Sequence, residues 1–337
     1  MRGAIRAAWL GLCLASGAMA AQPAWGPIEF LGRTVSPGQS LRMPALLDQS
    51  FAGSFLDTMV VVTRGNRAGP TLCVTAGIHG DEINGVEIAH RIYAGIAAND
   101  LAGTLVVIPA VNAYGFRTGS RYLSDRRDLN RFFPGSADGS LAAQIAWRLF
   151  GPLQQHCDAL LDLHTGSNLR TNVPQIRTDL GNPRALELAR SFGVGIVLDG
   201  AGPKGNLRRA MLEAGIPAVL FEAGEPLRFD EAAIRVGVEG VRQVMAHQGM
   251  LPGAATVLAD ARVIRRSRWV RVRGAGGIFL SDRKPGESVR AGDLLGTVTD
   301  PITEQVEQIR AGQDGLLIGM AVPQVVLTGY ALFHVGN

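Results

Sequence analysis

The sequence predicts an α/β protein, a mostly parallel sheet flanked by helices, followed by a small all-β domain. Three observations predict it. Short β-branched runs alternate with helical patterns between about residues 57 and 250. Those runs are apolar at successive positions, as strands covered on both faces require. After Pro252 the helical patterns stop, and short strands punctuated by glycine take over.

In chain order, the strand runs are DTMVVVTR (57–64), TLCVTA (71–76), GTLVVIPA (103–110), ALLDLH (159–164), VGIVL (194–198) and AVLFEAG (218–224). Two of the intervening helices have readable ends. Asn182-Pro183 caps and starts one, and Gly193 stops it. Asn206 precedes LRRAMLEA, which Gly215 and Pro217 close. In such an architecture ligands gather at the carboxyl ends of the strands. The tail carries KPGESVRAGDLLGTVTD, IRAGQDGLLIGM and VVLTGYALFHVG. Within it SVRAGDLLGTV and VVLTGYALFHV share a V-x-x-G-x-x-L pattern, which suggests two similar hairpin units.

The start of the chain reads differently. Arg2 and Arg6 precede an apolar stretch from Ala7 to about Ala15, and Ala18-Met19-Ala20 forms a small-x-small cleavage site. This is the pattern of a secretory signal peptide cut after Ala20. The stretch is short for a membrane anchor. Cys13 follows Leu12, where a lipid-attachment signal needs a small residue. The expected plan is a signal peptide at 1–20, a catalytic domain at 21–252 and a β domain at 253–337, in an exported, periplasmic protein with no membrane span after processing.

Hydrophobic residues make up 47% of the 337 and charged ones 18%, the balance of a folded globular chain. Lys plus Arg exceeds Asp plus Glu by 33 − 29 = 4, and two of these arginines lie in the removable segment. The remaining excess near +2 argues against a nucleic-acid partner. Cys73 and Cys157 would be the cysteines left after processing. On what read as neighbouring core strands, they are expected as small buried hydrophobes; export permits a disulfide without demanding one.

Chemistry concentrates where the apolar run 71–76 meets a helix, in GIHGDE. His79 and Glu82 stand three apart, so on a first helical turn they point the same way, while Asp81 points elsewhere. Gly77 and Gly80 let the backbone turn sharply. An imidazole and a carboxylate converging there are two ligands for a first-row metal. His164 ends the apolar ALLDLH run and supplies a third. Asp162, two residues earlier on the same face, is placed to hold that imidazole. His90, His156, His247 and His334 lack such surroundings and read as structural or surface residues. Three ligands leave an open position, the catalytic form of a zinc site. In DRRDLNRFFPG, Asn130 and Arg131 suit a carboxylate-bearing substrate. Glu222 ends an apolar strand at the same rim as His164, where a general base acting on water accounts for a carboxylate.

GIHGDE, DLNRFFPG, DLHTG and FEAG, in this order, resemble the succinylglutamate desuccinylase and aspartoacylase family of the zinc carboxypeptidase-like (M14) superfamily. The resemblance spans roughly residues 57 to 250, and the tail is similar to that family's C-terminal barrel-sandwich-like domain. No lysine hairpin of the MKM type occurs, so a covalently attached cofactor is not implied. The resemblance implies one zinc per chain on His79, Glu82 and His164, with Glu222 passing a proton from water to the leaving amine. It implies that Asn130 and Arg131 grip a substrate carboxylate. Arg121, in GSRYLSD, resembles the arginine that polarises the scissile carbonyl, with Arg126 and Arg127 competing for the role. Arg208 or Arg209 would meet a second acidic group.

The expected function is zinc-dependent hydrolysis of the amide bond in an N-acyl amino acid or a similar small carboxylate. A metallocarboxypeptidase acting on peptides or cell-wall fragments would share the same chemistry. A metal-dependent binding protein without catalysis is the third reading, and Glu222 weighs against it.

Overall fold

A computed structural model describes residues 25–45, 58–253 and 261–337. The expected signal peptide lies outside the described residues. The six strand runs appear as Thr58–Arg64, Arg67–Ala76, Ala102–Ile108, Ala159–His164, Ile196–Asp199 and Ala218–Gly224. Four lie side by side and parallel, in the order Ala102–Ile108, Arg67–Ala76, Ala159–His164, Ala218–Gly224. Their carboxyl ends therefore share one rim. Register pairs Thr75 with Asp162 and His164 with Glu222 along it.

Side-chain alternation divides the sheet between two cores. From Arg67–Ala76, Leu72 and Val74 pack with Ile88 and Ile92 of helix Ile83–Ala94 and with Val241 and Val244 of helix Glu231–His247. Cys73 faces the other way, with Ile145 and Leu149 of helix Leu141–His156 and Met211 of helix Leu207–Glu213. The result is a helix–sheet–helix sandwich. Each such Leu or Ile, fully buried, contributes roughly 1.5–3 kcal/mol. The two helices with readable ends span Pro183–Ser191 and Leu207–Glu213, capped by the side chains of Asn182 and Asn206.

The cysteines depart from expectation. Cys73 and Cys157 form a disulfide, with Cα atoms 5.7 Å apart. Cys157 closes helix Leu141–His156 instead of lying on a strand. The two meet because that helix ends directly beneath Arg67–Ala76, a proximity no local pattern shows.

The sheet is also more mixed than the parallel runs suggested. Strand Arg170–Thr178, which lacks a continuous apolar pattern, runs antiparallel to Ala218–Gly224 on one side and to Gly315–Ala321 on the other. Through it the central sheet continues into the C-terminal region, reaching Ala331–Gly336 and Ser267–Arg271. Four other tail strands, Val306–Arg310, Leu294–Thr299, Gly276–Leu280 and Gln324–Leu327, build a separate antiparallel sheet. Both echoed segments are strand–turn–strand, with Gly292 (φ +89°) and Gly329 (φ +78°) in the turns, but neither is the expected hairpin, because the two strands of each pair with other strands and lie in different sheets. Among the described residues no helix is long and apolar enough to cross a membrane.

Candidate metal centre and active-site cleft

The rim formed by the parallel strands gathers most of the expected residues. After Ala76 the chain reverses at Gly77, whose φ of +61° suits glycine. A tight turn follows, closed by Glu82 N–H donating to the His79 carbonyl at 3.2 Å. His79 and Glu82 thus precede helix Ile83–Ala94, with Glu82 at its N-cap, and do not sit in its first turn. Gly80 cannot carry a side chain, because a Cβ there would overlap the Gly115–Phe116 backbone.

His79, Glu82 and His164 each offer one ligand atom within 4.8 Å of the others, and all three are buried. His79 Nδ1 lies 2.8 Å from Glu82 Oε1, yet this buried nitrogen makes no hydrogen bond. Two donor atoms so close, but not directed at each other, suit a shared cation. The outer nitrogens are occupied. His79 Nε2 sits 3.1 Å from Asp128 Oδ1, and His164 Nε2 sits 2.9 Å from Asp162 Oδ2. Thr75 donates its hydroxyl to the other oxygen of Asp162 at 2.8 Å. Carboxylates behind both imidazoles fix their orientation and raise their basicity. Asp81 is no part of the cluster; burial and the neighbouring Glu82 raise its carboxyl.

The electrostatics agree with a cation site. Burial opposes the charge on Glu82, but His79 and His164 outweigh it and hold the carboxyl well below its ordinary range. Burial also opposes charge on His164, yet Asp162 and Glu82 raise it well above the usual imidazole value. A cation bound there would compete with protons for these groups. The donor set fits a divalent first-row ion such as zinc.

Arg121 reaches this cluster, donating to Glu82 Oε1 at 3.0 Å and to Asp128 Oδ2 at 2.9 Å. Its competitors do not reach it. Arg127 pairs with Asp125 at the surface, and Arg126 lies outside the cleft with φ +63°. Asn130 is buried and accepts from Leu207 N–H through Oδ1 at 2.9 Å, which joins its loop to the helix bearing Arg208. Arg131 lines the same cleft and stays half-exposed. Arg208 faces the cleft as well, whereas Arg209 pairs with Glu213.

Glu222 lines a cleft of about 190 Å³ together with His79, Glu82 and His164. One of its oxygens, Oε2, accepts from Asn172 Nδ2 at 2.6 Å and lies 2.7 Å from Arg177 NH2. Asn172 and Arg177 went unread in the sequence, since both lie on the antiparallel strand Arg170–Thr178. Asp128 was visible in its motif, but its grip on His79 spans 49 positions. The other four histidines stay apart from the cluster. His90 is exposed beside Glu87, His247 pairs with Glu187, His156 packs on Phe30, and His334 stacks on Trp269.

Against known proteins, residues 68–248, more than half of the chain, match the Succinylglutamate desuccinylase/Aspartoacylase catalytic domain. The chain belongs to this family. A relative in it, the N-alpha-acetyl-L-2,4-diaminobutyric acid deacetylase of Halomonas elongata, is 27% identical over 91% of this chain and 93% of its own. The product-bound structure of the Ectoine utilization protein EutE (DoeB) from Ruegeria pomeroyi superposes with a TM-score of 0.79 at 27% identity, over 88% of this chain and 93% of that one. The succinylglutamatedesuccinylase/aspartoacylase structure from Rhodobacter sphaeroides gives a TM-score of 0.79 at 24% identity, over 89% and 94% of the two chains. The family fold is thus shared along nearly the whole chain.

Proposed function

We propose that this chain is a zinc-dependent deacylase, binding one zinc per chain and hydrolysing the amide bond of an N-acyl amino acid. The observation that carries this is the His79–Glu82–His164 cluster, with its unbonded Nδ1, beside Glu222 on one rim. The amide-cleaving relative from Halomonas elongata supports the reaction class, and the modest cleft suits a small substrate better than an extended peptide.

His79, Glu82 and His164 would hold the cation, which when bound supplies Lewis-acid activation of water and carbonyl. The chain's own groups do the rest. Glu222, fixed through Oε2, keeps Oε1 to take a proton from the attacking water and return it to the leaving amine. Arg121 stands beside Glu82, where it can stabilise charge developing on the carbonyl oxygen. Asn130 and Arg131 would hold the amino-acid carboxylate, orienting the scissile bond.

Export to the periplasm belongs to the same proposal. The Cys73–Cys157 disulfide supports it, because such bonds persist in oxidising compartments. Fractionating cells that express the full chain tests it: a periplasmic product beginning after Ala20 is expected, and a cytoplasmic product retaining residues 1–20 would refute it.

The activity test is amine release from a panel of N-acyl amino acids by the zinc-loaded chain. Turnover abolished by a chelator and restored by zinc is the expected result. Cleavage of peptides alone would favour a carboxypeptidase. Silence with tight ligand binding would favour a binding protein.

A further inference from the structure

Residues 262–273 carry a concentration of charge that the proposed chemistry does not use. Six of these twelve residues are arginine, and none is lysine or acidic. The whole chain has a net charge of only +4. Among the described residues one of the six, Arg265, is ion-paired, with Asp199 at 3.6 Å. The strand Ser267–Arg271 within this stretch ends the central sheet, and among the described residues it pairs on one side alone, with Ala331–Gly336. Arg266 and Asn337 exchange both backbone hydrogen bonds, so alternate residues from Arg266 onward face that neighbour. Val272 keeps the alternation, donating to Tyr330 and accepting from Gly329. Ser267, Trp269, Arg271 and Arg273 therefore turn their N–H and C=O groups to the open edge.

Strand Val306–Arg310 is likewise an end strand, that of the second tail sheet. Between the two ends runs a groove of about 860 Å³. Buried Val272, Ile309 and Val335 line it, with exposed Arg268, Arg271, Arg273 and Arg310 around them. Among the described residues that line it, Glu307 is the one acid. Its carboxylate reaches from one end strand to the other, accepting from Arg273 N–H at 3.0 Å and Gly274 N–H at 2.9 Å. The open edge thus already holds a carboxylate at one end. Charged side chains on an end strand guard against edge-to-edge aggregation, and that need alone would account for several arginines. It does not account for a groove between two open edges, with an apolar lining and a basic rim. A second copy of this chain added at the same edge would set arginine against arginine. An acidic segment brings the complementary charge, and the guanidinium fork matches the two oxygens of a carboxylate.

We infer that this groove is a strand-addition site for an extended acidic peptide segment of a partner protein, one in which acidic and apolar residues alternate. The backbone of that segment pairs with the open edge at Ser267, Trp269 and Arg271. Because side chains alternate along a strand, its carboxylates meet the arginines while its apolar side chains cover Val272, Ile309 and Val335. None of these residues lines the cleft beside Glu222, so the site stands independently of the deacylase proposal.

The test is binding of dye-labelled peptides to the full chain, followed by fluorescence polarisation. The probe is the amidated peptide Glu-Val-Glu-Val-Glu. Its neutral counterpart is Gln-Val-Gln-Val-Gln, and a third peptide keeps the Glu-Val sequence but is methylated at every backbone nitrogen. The acidic peptide is expected to bind saturably and about tenfold or more tighter than the neutral one. Backbone methylation, which leaves the charge unchanged but removes the main-chain donors, should weaken it by a similar factor. The double variant Arg268→Gln with Arg273→Gln should lose about tenfold in affinity for the acidic peptide, and the corresponding double lysine variant should keep part of it. Circular dichroism and Tm establish that the variants fold; if they do not, the three peptides on the wild-type chain decide alone. No binding of the acidic peptide, equal binding of the acidic and neutral peptides, or undiminished binding of the methylated one would overturn the inference. A short oligothymidylate or phosphatidylglycerol vesicles bound more tightly than the peptide, and lost in the glutamine variant, would overturn it too, by making the arginines a general anion patch.

Discussion

Glu222 is the register partner of His164 at the ends of two adjacent parallel strands. The proposed general base and a proposed metal ligand therefore leave the sheet side by side, on the rim where this fold collects ligands. Their placement depends on backbone pairing inside a buried sheet and not on a loop. The roles of the two residues can be separated experimentally.

Replacing Glu222 by Gln keeps the shape and the hydrogen-bonding size of the side chain but removes the base. Turnover should fall on the order of a hundredfold or more, with zinc content unchanged. Steady-state kinetics alongside elemental analysis checks this. A variant that loses zinc, or keeps full activity, would remove Glu222 from the role assigned to it.

Asp162 acts one step back. It holds His164 Nε2 at 2.9 Å and is itself held by Thr75. Asp162→Asn should weaken zinc affinity roughly 10- to 100-fold while the chain stays folded. Competition with a chromogenic chelator measures it, and unchanged affinity would mean that the imidazole is oriented by packing alone.

The C-terminal region reaches Glu222 indirectly. Gly319 is the register partner of Asn172, and a Cβ at Gly319 would press on the Asn172 side-chain oxygen. Asn172 is one of the two donors that fix Glu222. Gly319→Ala should therefore lower kcat by about tenfold, the worth of one hydrogen bond to a charged group. Thermal stability should change little, because the displaced group is the end of a side chain. A large loss of Tm with kcat unchanged would contradict this coupling.

Acid sensitivity has an identifiable source in His334. Burial first, then the charges of Arg177 and Arg170, push its imidazole down to about 3. The unfolded chain takes up this proton near pH 6.5 and the folded chain does not. The stability this residue allows is thus complete above pH 6.5 and declines as pH falls toward 3. Between pH 6.5 and 5 the loss should be about 2 kcal/mol. Denaturant unfolding of wild type and His334→Gln across that range tests it; the variant should show the shallower dependence.

Much of this was legible in the sequence because it is local. An apolar run ending in Asp-x-His announces both a strand and its rim, and His79 and Glu82 lie within one turn. The four parallel strands and the asparagine caps follow from patterns a few residues long. What the sequence hid is long-range. Arg177 and Asn172 lie on a polar-patterned strand containing Pro174, which only pairing on both edges makes a central element. The Cys73–Cys157 bond and the Asp128–His79 contact join segments 84 and 49 positions apart. The continuity of the central sheet into the tail is likewise a matter of pairing, since glycine-rich strands look the same in a separate domain and at a sheet's end.

The most direct measurement is zinc content of the purified chain, wild type beside His164→Ala, with both shown to be folded by circular dichroism. About one zinc per wild-type chain, lost from the variant together with amide hydrolysis, is the expected result. A folded wild-type chain that holds no divalent metal and cannot be loaded with one would contradict the site, and the deacylase proposal with it.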